Sequence, residues 1–261
     1  MRMSRRQRAR LIRGAQYAVL AVVLLAVALA ADWGEIRRAF FDVEVAKAQF
    51  PEIISTALVN TIIYTLLGFG FGLALGLILA LMRLSQVPPY RWLAVGYIEF
   101  FRGIPALLVF IALGFGVPLA FQVALNQYVT VMLALGLVGA AYIAETMRAG
   151  IQAVPKGQVE AARSLGMSHT RAMVSIVIPQ AFRIVLPPLT NELILLTKDS
   201  SLVYLLGLSL GQYELAKFGR DALNQNRSLT PILIAGLCYL VITLPLGHLV
   251  RRLEARTAKA R

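Results

Sequence analysis

The chain alternates apolar runs, each long enough to cross a bilayer, with a polar stretch at 155–183 that is too charged to do so. A spanning helix needs about 17 to 25 mostly apolar residues. Runs that satisfy this, split at polar or Pro/Gly punctuation, lie at 15–31, 53–82, 104–121, 129–147, 186–207 and 229–250. With 58% hydrophobic and only 15% charged residues, a water-soluble core of this size is excluded. The expected fold is an all-α integral membrane protein of about six transmembrane helices, with 51–252 as one membrane domain.

Lys and Arg outnumber Asp and Glu by 26 to 13, a balance that in a soluble chain would suggest nucleic acid. Here the basic residues stand in short blocks beside the apolar runs, without interleaved base-stacking aromatics, so membrane topology explains them and no nucleic-acid partner is expected. An even number of spans returns both termini to one side. The N-terminal tail, 1–14 (Arg2, Arg5, Arg6, Arg8, Arg10, Arg13), falls on that side. So do Arg83, Arg91 and Arg102, then Arg148, Lys156, Arg163, Arg171 and Arg183 around the polar stretch, and finally Arg251, Arg252, Arg256, Lys259 and Arg261 at the C-terminal end. Nineteen basic residues therefore share one face. The other has six, Arg37, Arg38, Lys47, Lys217, Arg220 and Arg227, and Lys198 lies within a run. The positive-inside rule puts both termini, including the tail 253–261, and the polar stretch in the cytoplasm.

Local signals divide the polar stretch into two helices. Pro155 suits the first helical position, where its missing N–H is not needed, and Gly166 suits a left-handed stop. Ser168 is then an N-cap for a second helix carrying Ala172, Val174, Ile176 and Ile178 towards Pro179. The result is a helix-turn-helix on the membrane surface, with Ala161 and Ala162 as a small face and Glu160, Arg163 and Arg171 as charge for a docking partner.

Other features are less specific. The 15–31 run is read as a retained span, although Arg-rich residues followed by Ala28-Leu29-Ala30 also fit a signal peptide, a reading that keeps every later loop on its side. Gly68, Gly72, Gly76 and Ala80 form a small-residue stripe expected to serve helix packing within the bundle. The 91–103 segment, with Trp92, Tyr97, Phe100 and Phe101, suits a helix in the headgroup zone, from which Gly103 and Pro105 turn the chain into the third span. Cys238 is expected to be buried, and one cysteine forms no intrachain disulfide. His169 and His248 have no partner spacing for a metal, and both terminal tails are expected to be mobile.

The polar stretch resembles the cytoplasmic EAA loop of ABC-transporter permeases. Glu160-Ala161-Ala162, Gly166 after three intervening residues, then Ile176, Ile178 and Pro179 follow that pattern, with Ile178 in place of the usual Leu. Glu99-Phe100-Phe101-Arg102-Gly103-Ile104-Pro105, Ala144-Glu145-Thr146-Met147-Arg148-Ala149-Gly150-Ile151 and Lys198-Asp199-Ser200-Ser201-Leu202 are similar to the polar amino-acid uptake permeases in particular. The resemblance covers 51–252. It implies a bacterial plasma-membrane permease in which Glu160, Ala161, Ala162, Leu165 and Gly166 couple to an ABC ATPase. It also implies a second permease copy or homologue, and an external substrate-binding protein that meets the 209–228 segment.

No Gly-x-x-x-x-Gly-Lys-Ser/Thr loop occurs, so ATP and Mg are expected on the partner ATPase and this chain is expected to have no catalytic residues, metal or cofactor of its own. Ionisable residues within spans are costly and should face a cavity or a partner. Glu145, Thr197, Lys198, Asp199, Ser200 and Ser201 offer both acceptors for an ammonium group and donors for a carboxylate, and are the candidate pathway for a polar amino acid. A structural salt bridge is the competing role for Glu145 and Asp199, and for Glu192 more so. The alternative function, an autonomous carrier or channel, should show paired broken helices and internal symmetry, which the sequence does not plainly show.

Overall fold

The computed structural model describes residues 5–123 and 125–259; Arg2 and Arg261 of the basic tails lie outside them. The described residues are helical throughout, with no strand among them. Helix α1 (Arg5–Ala30) is followed by two short helices, α2 (Trp33–Phe40) and α3 (Val43–Ala48), each opened by an aspartate N-cap, Asp32 and Asp42. A π-turn at Ile53–Leu58 leads into α4 (Val59–Leu84). Helix α5 (Pro88–Gly103) is separated from α6 (Ala106–Ile111), a π-turn and α7 (Val117–Phe121) by a bend of 102°. Helix α8 (Gln127–Gln152) precedes the polar stretch, which holds α9 (Lys156–Ser164) and α10 (His169–Ala172). A π-turn joins α10 to α11 (Ile178–Asp199), and α12 (Leu215–Asn226) and α13 (Thr230–Lys259) complete the chain.

Five helical segments are long and apolar enough to cross a membrane; α5 with α6–α7 gives a sixth when the two arms, bent by 102°, are counted as one span. The expected third span, 104–121, therefore does not stand by itself, while the other five expected spans are present, with these differences. The fifth does not begin at 186: helix is continuous from His169 through Leu205. Pro179 was expected to end the surface helix, yet it sits in the first turn of α11. The preceding π-turn, in which the Ile178 N–H reaches back to the Met173 carbonyl, widens the helix where a proline ring would otherwise meet a carbonyl. Helix also extends into both basic tails: α1 begins at Arg5 and α13 runs on to Lys259, since Arg, Leu, Glu and Ala favour helix and no Gly or Pro intervenes at 251–259.

The centre of the bundle is the α4–α8 pair. Gly68, Gly72 and Gly76 are buried against α8, where a Cβ on Gly72 would lie 3.2 Å from the Gly136 carbonyl oxygen and one on Gly76 would lie 2.8 Å from Ile143 Cγ2. The glycine stripe thus serves packing inside the chain, as expected. Around it Tyr64, Phe110, Val131, Leu135, Leu196 and Val203 form the main core. Cys238 is buried with Ile53, Ala57 and Leu215 in a second cluster. In contrast, residues 10–30 of α1 are exposed along their whole length.

The helices define two ends. The last turns of α4 and α8, with α9, form a basic end that carries Arg83, Arg148, Lys156 and Arg163. At the far end the α2–α3 segment meets the start of α13: the Leu229 N–H donates to the Ala39 carbonyl at 2.7 Å, and the Asp42 N–H donates to Thr230 Oγ1 at 3.0 Å.

Candidate functional site

At the basic end, α9 opens at Pro155, which occupies the N-cap rather than the first helical position, a shift of one residue from expectation. It closes as the sequence predicts. Gly166 has φ +86°, its N–H donates to the Arg163 carbonyl at 3.0 Å, and the Met167 N–H donates to the Ala162 carbonyl at 3.1 Å. These paired bonds satisfy the carbonyls that a helix end leaves free. Ser168 caps the next helix, its Oγ accepting from the Arg171 N–H at 3.3 Å.

The turn is presented outward. Glu160, Ala161, Leu165 and Gly166 are exposed, Leu165 at 85%. Ala162 is 3% exposed and faces the chain's own interior, so the small face expected from both alanines is reduced to Ala161. The base of the turn is fixed by Val154 packing with Val177 and Ala181, and by Gln180, whose Nε2 donates to Gln158 Oε1 across the turn. A rigid base below an exposed apolar tip provides a surface that a partner can grip without first ordering it.

The candidate pathway residues do not form one open constellation. Glu145 is engaged by two arginines: Arg83 Nη1 lies 2.7 Å from Oε1 and Arg148 Nη2 lies 2.8 Å from Oε2. Thr197 and Ser200 are fully buried and spend their hydroxyls on their own helix, donating to the Leu193 carbonyl at 2.8 Å and the Thr197 carbonyl at 2.7 Å. Ser201 is partly buried, Lys198 is exposed and Asp199 is partly buried. Adjacent residues on a helix do not face each other, and no close ion pair joins Lys198 to Asp199 among the described residues. Asp199 instead shares a face with Glu192, seven residues earlier, and both Asp199 and Arg102 lie within electrostatic reach of Glu192.

Sequence reasoning missed the polar lock at the far end. There a short 3-10 turn, Leu210–Gln212, and the N-terminus of α12 lie on the first turns of α4. Asn60 Nδ2 donates to the carbonyls of Gly211 at 2.9 Å and Tyr213 at 3.0 Å. The Tyr64 hydroxyl donates to the Gln212 carbonyl at 2.9 Å, and the Leu215 N–H donates to Thr61 Oγ1 at 3.1 Å. Glu214, within the 209–228 segment that the resemblance assigns to the binding protein, is fully buried as the N-cap of α12. It accepts from the Ala216 and Lys217 N–H groups at 2.6 Å each and from the Tyr239 hydroxyl at 2.9 Å. Burial pushes its carboxyl up to about 7, against the opposing pull of those donors and of Lys217. Nearby, Asp221 is held below its usual range despite partial burial, because the Lys217 ammonium sits 2.9 Å away. The available signal was the spacing of Asn60, Thr61, Tyr64 and Thr65 inside an apolar span: polar groups there need partners.

Residues 72–259 match the family described as binding-protein-dependent transport system inner membrane component. The arginine transport system permease protein ArtQ of Bacillus subtilis is 38% identical over 185 residues, covering 71% of this chain and 83% of its own. The glutamate/aspartate import permease protein GltK of Escherichia coli O157:H7 is 38% identical over 212 residues, 77% of this chain and 92% of its own. A solved amino acid ABC transporter crystallised with histidines has a chain that is 35% identical and superposes with a TM-score of 0.74, over 82% of this chain and 98% of that one. A chain of the methionine ABC transporter MetNI, at 18% identity and a TM-score of 0.58, shares the fold over 79% of this chain and 98% of its own.

Proposed function

Because the chain belongs to the family of inner membrane components of binding-protein-dependent transport systems, we infer that it is the permease subunit of an amino-acid ABC importer. It forms the transmembrane route for a polar amino acid handed over by an external binding protein. The carrying observation is the exposed, internally capped turn 165–168 between two membrane-length helices, seated on a rigid base.

In this reading the turn, through Glu160, Ala161, Leu165 and Gly166 with Ala162 as its inner support, meets an ABC ATPase subunit that binds ATP and Mg. The far end, built around α12, meets the binding protein, and a second permease copy or homologue completes the route. The basic end and both termini lie in the cytoplasm of a bacterial cell, in keeping with the distribution of Lys and Arg. Lys198, Asp199 and Ser201, with the buried Thr197 and Ser200 behind them, border the route, and their mixed charge suits a zwitterion.

The test is reconstitution of the complex, co-purified with its ATPase and binding protein, into liposomes. Uptake of radiolabelled arginine, histidine, glutamine or glutamate should require both binding protein and ATP. Uptake driven by an ion gradient with no nucleotide would overturn the reading.

A further inference from the structure

We propose that Glu145 is a positioning residue, a clamp that fixes the end of α8 against α4 and thereby sets the coupling turn, rather than a contact for the transported amino acid. The proposal rests on the reading of the turn as an ATPase-docking surface.

Both oxygens of Glu145 are occupied. Oε1 faces the Arg83 guanidinium, carried by the last turn of α4, and Oε2 faces Arg148, one turn further along α8. The three side chains are only 20 to 26% exposed, so water screens them weakly. Arg148 also donates through Nη1 to Gln152 Oε1 at 2.6 Å, which carries the network to the final residue of α8. Two residues on, Val154 packs with Val177 and Ala181 at the base of the turn. The side-chain network therefore runs from α4 to the last residue of α8, and the backbone through Ala153 joins it to the root of α9.

Charge explains why a single carboxylate matters. Arg83 and Arg148 touch Glu145, and Arg102 at the end of α5 lies within electrostatic reach of it. Removing one partner of a partly buried pair leaves the remaining charges uncompensated. Here neutralising Glu145 leaves guanidinium groups of α4, α5 and α8 repelling one another at the basic end, and the ends separate. An amino-acid ammonium, by contrast, would have to approach a carboxylate whose charge two guanidinium groups already offset.

The experiment uses the reconstituted complex, with radiolabelled arginine, histidine, glutamine and glutamate as probes, and compares Glu145→Gln, Arg83→Gln and the double variant. Each single variant should lower binding-protein-stimulated ATP hydrolysis by about fivefold or more, the size of a typical coupling. The KM for uptake should be unchanged. The double variant should be no worse than the poorer single one, because both remove the same contact. A raised KM in Glu145→Gln with normal stimulated hydrolysis, or losses that multiply in the double variant, would overturn the proposal. If Glu145→Gln does not assemble, Glu145→Asp retains the charge with a shorter reach: it should reduce stimulated hydrolysis at unchanged KM, and a raised KM would again overturn it. Failure of the function itself is a separate result, an unaltered complex that takes up none of the probes with ATP.

Discussion

At the basic end, the 165–168 turn exposes Leu165 and satisfies its backbone locally, through Gly166 and Ser168. At the far end, the 211–215 segment buries Glu214 and depends on Asn60, Thr61, Tyr64 and Tyr239, which lie 25 to 154 positions away in sequence. Both are polar connections between membrane-length helices. The first closes its own backbone and leaves its tip exposed, with only its base packed against 177–181. The second is held by neighbouring helices, so a push on α12 is a push on α4 and α13. A subunit that receives one partner at each end would use these two constructions differently: a preformed grip at one, and an anchor tied to neighbouring helices at the other.

The largest effect is expected from Glu214→Ala. It removes an N-cap and leaves the partly buried Ala216 and Lys217 N–H groups without their acceptor. Cap loss and unsatisfied donors together should cost about 2 to 4 kcal/mol. Hydrogen exchange at 215–226 should accelerate while 156–172 is unaffected; equal acceleration at both ends would show that they are not independent.

Glu214 also gives a pH signature. Its carboxyl titrates at about 7 in the folded chain, against an ordinary value of 4.5, so the folded state binds the proton more tightly than the unfolded one. Stability contributed by this group therefore falls as pH rises from about 4.5 to 7 and is flat above that window. Thermal unfolding in detergent should show the slope, and Glu214→Gln should remove it. A slope unchanged in the variant would place its origin elsewhere.

At the other end, Gly166→Val tests the local construction. A Cβ on Gly166 meets nothing within 4 Å, so the penalty is torsional alone, roughly 1 to 2 kcal/mol at positive φ. The expected outcome is an inserted, folded permease that has lost most of its stimulated ATP hydrolysis. Intact stimulation would remove the turn from the coupling surface. The smallest effect is expected from Tyr64→Phe, which deletes one hydrogen bond to Gln212 and leaves the core ring in place. It should cost about 1 kcal/mol, read as a small rise in exchange at 210–213.

This contrast also separates what was legible in the sequence from what was not. Gly166, Ser168 and the glycine stripe act through neighbours in sequence or through helical spacing, and pattern reading found them. Pro179 misled because a proline within an apolar helix reads as a stop, whereas the π-turn before it absorbs the ring. Glu214 and Asn60 were missed because their environments are set by helices remote in sequence, and no local pattern distinguishes a buried carboxylate from a solvated one in a segment with Gln212, Lys217 and Arg220. Glu145 was found as a costly intramembrane charge, but its partner Arg83 lies on another helix, 62 positions earlier.

The two ends are expected to meet different partners. A photo-crosslinking amino acid placed at Ala161 or at Asn226, both exposed, and irradiated in the complete complex with binding protein present, separates them. Ala161 should capture the ATPase subunit and Asn226 the binding protein. Capture of the ATPase from Asn226, or of the binding protein from Ala161, would show that the ends do not divide in this way.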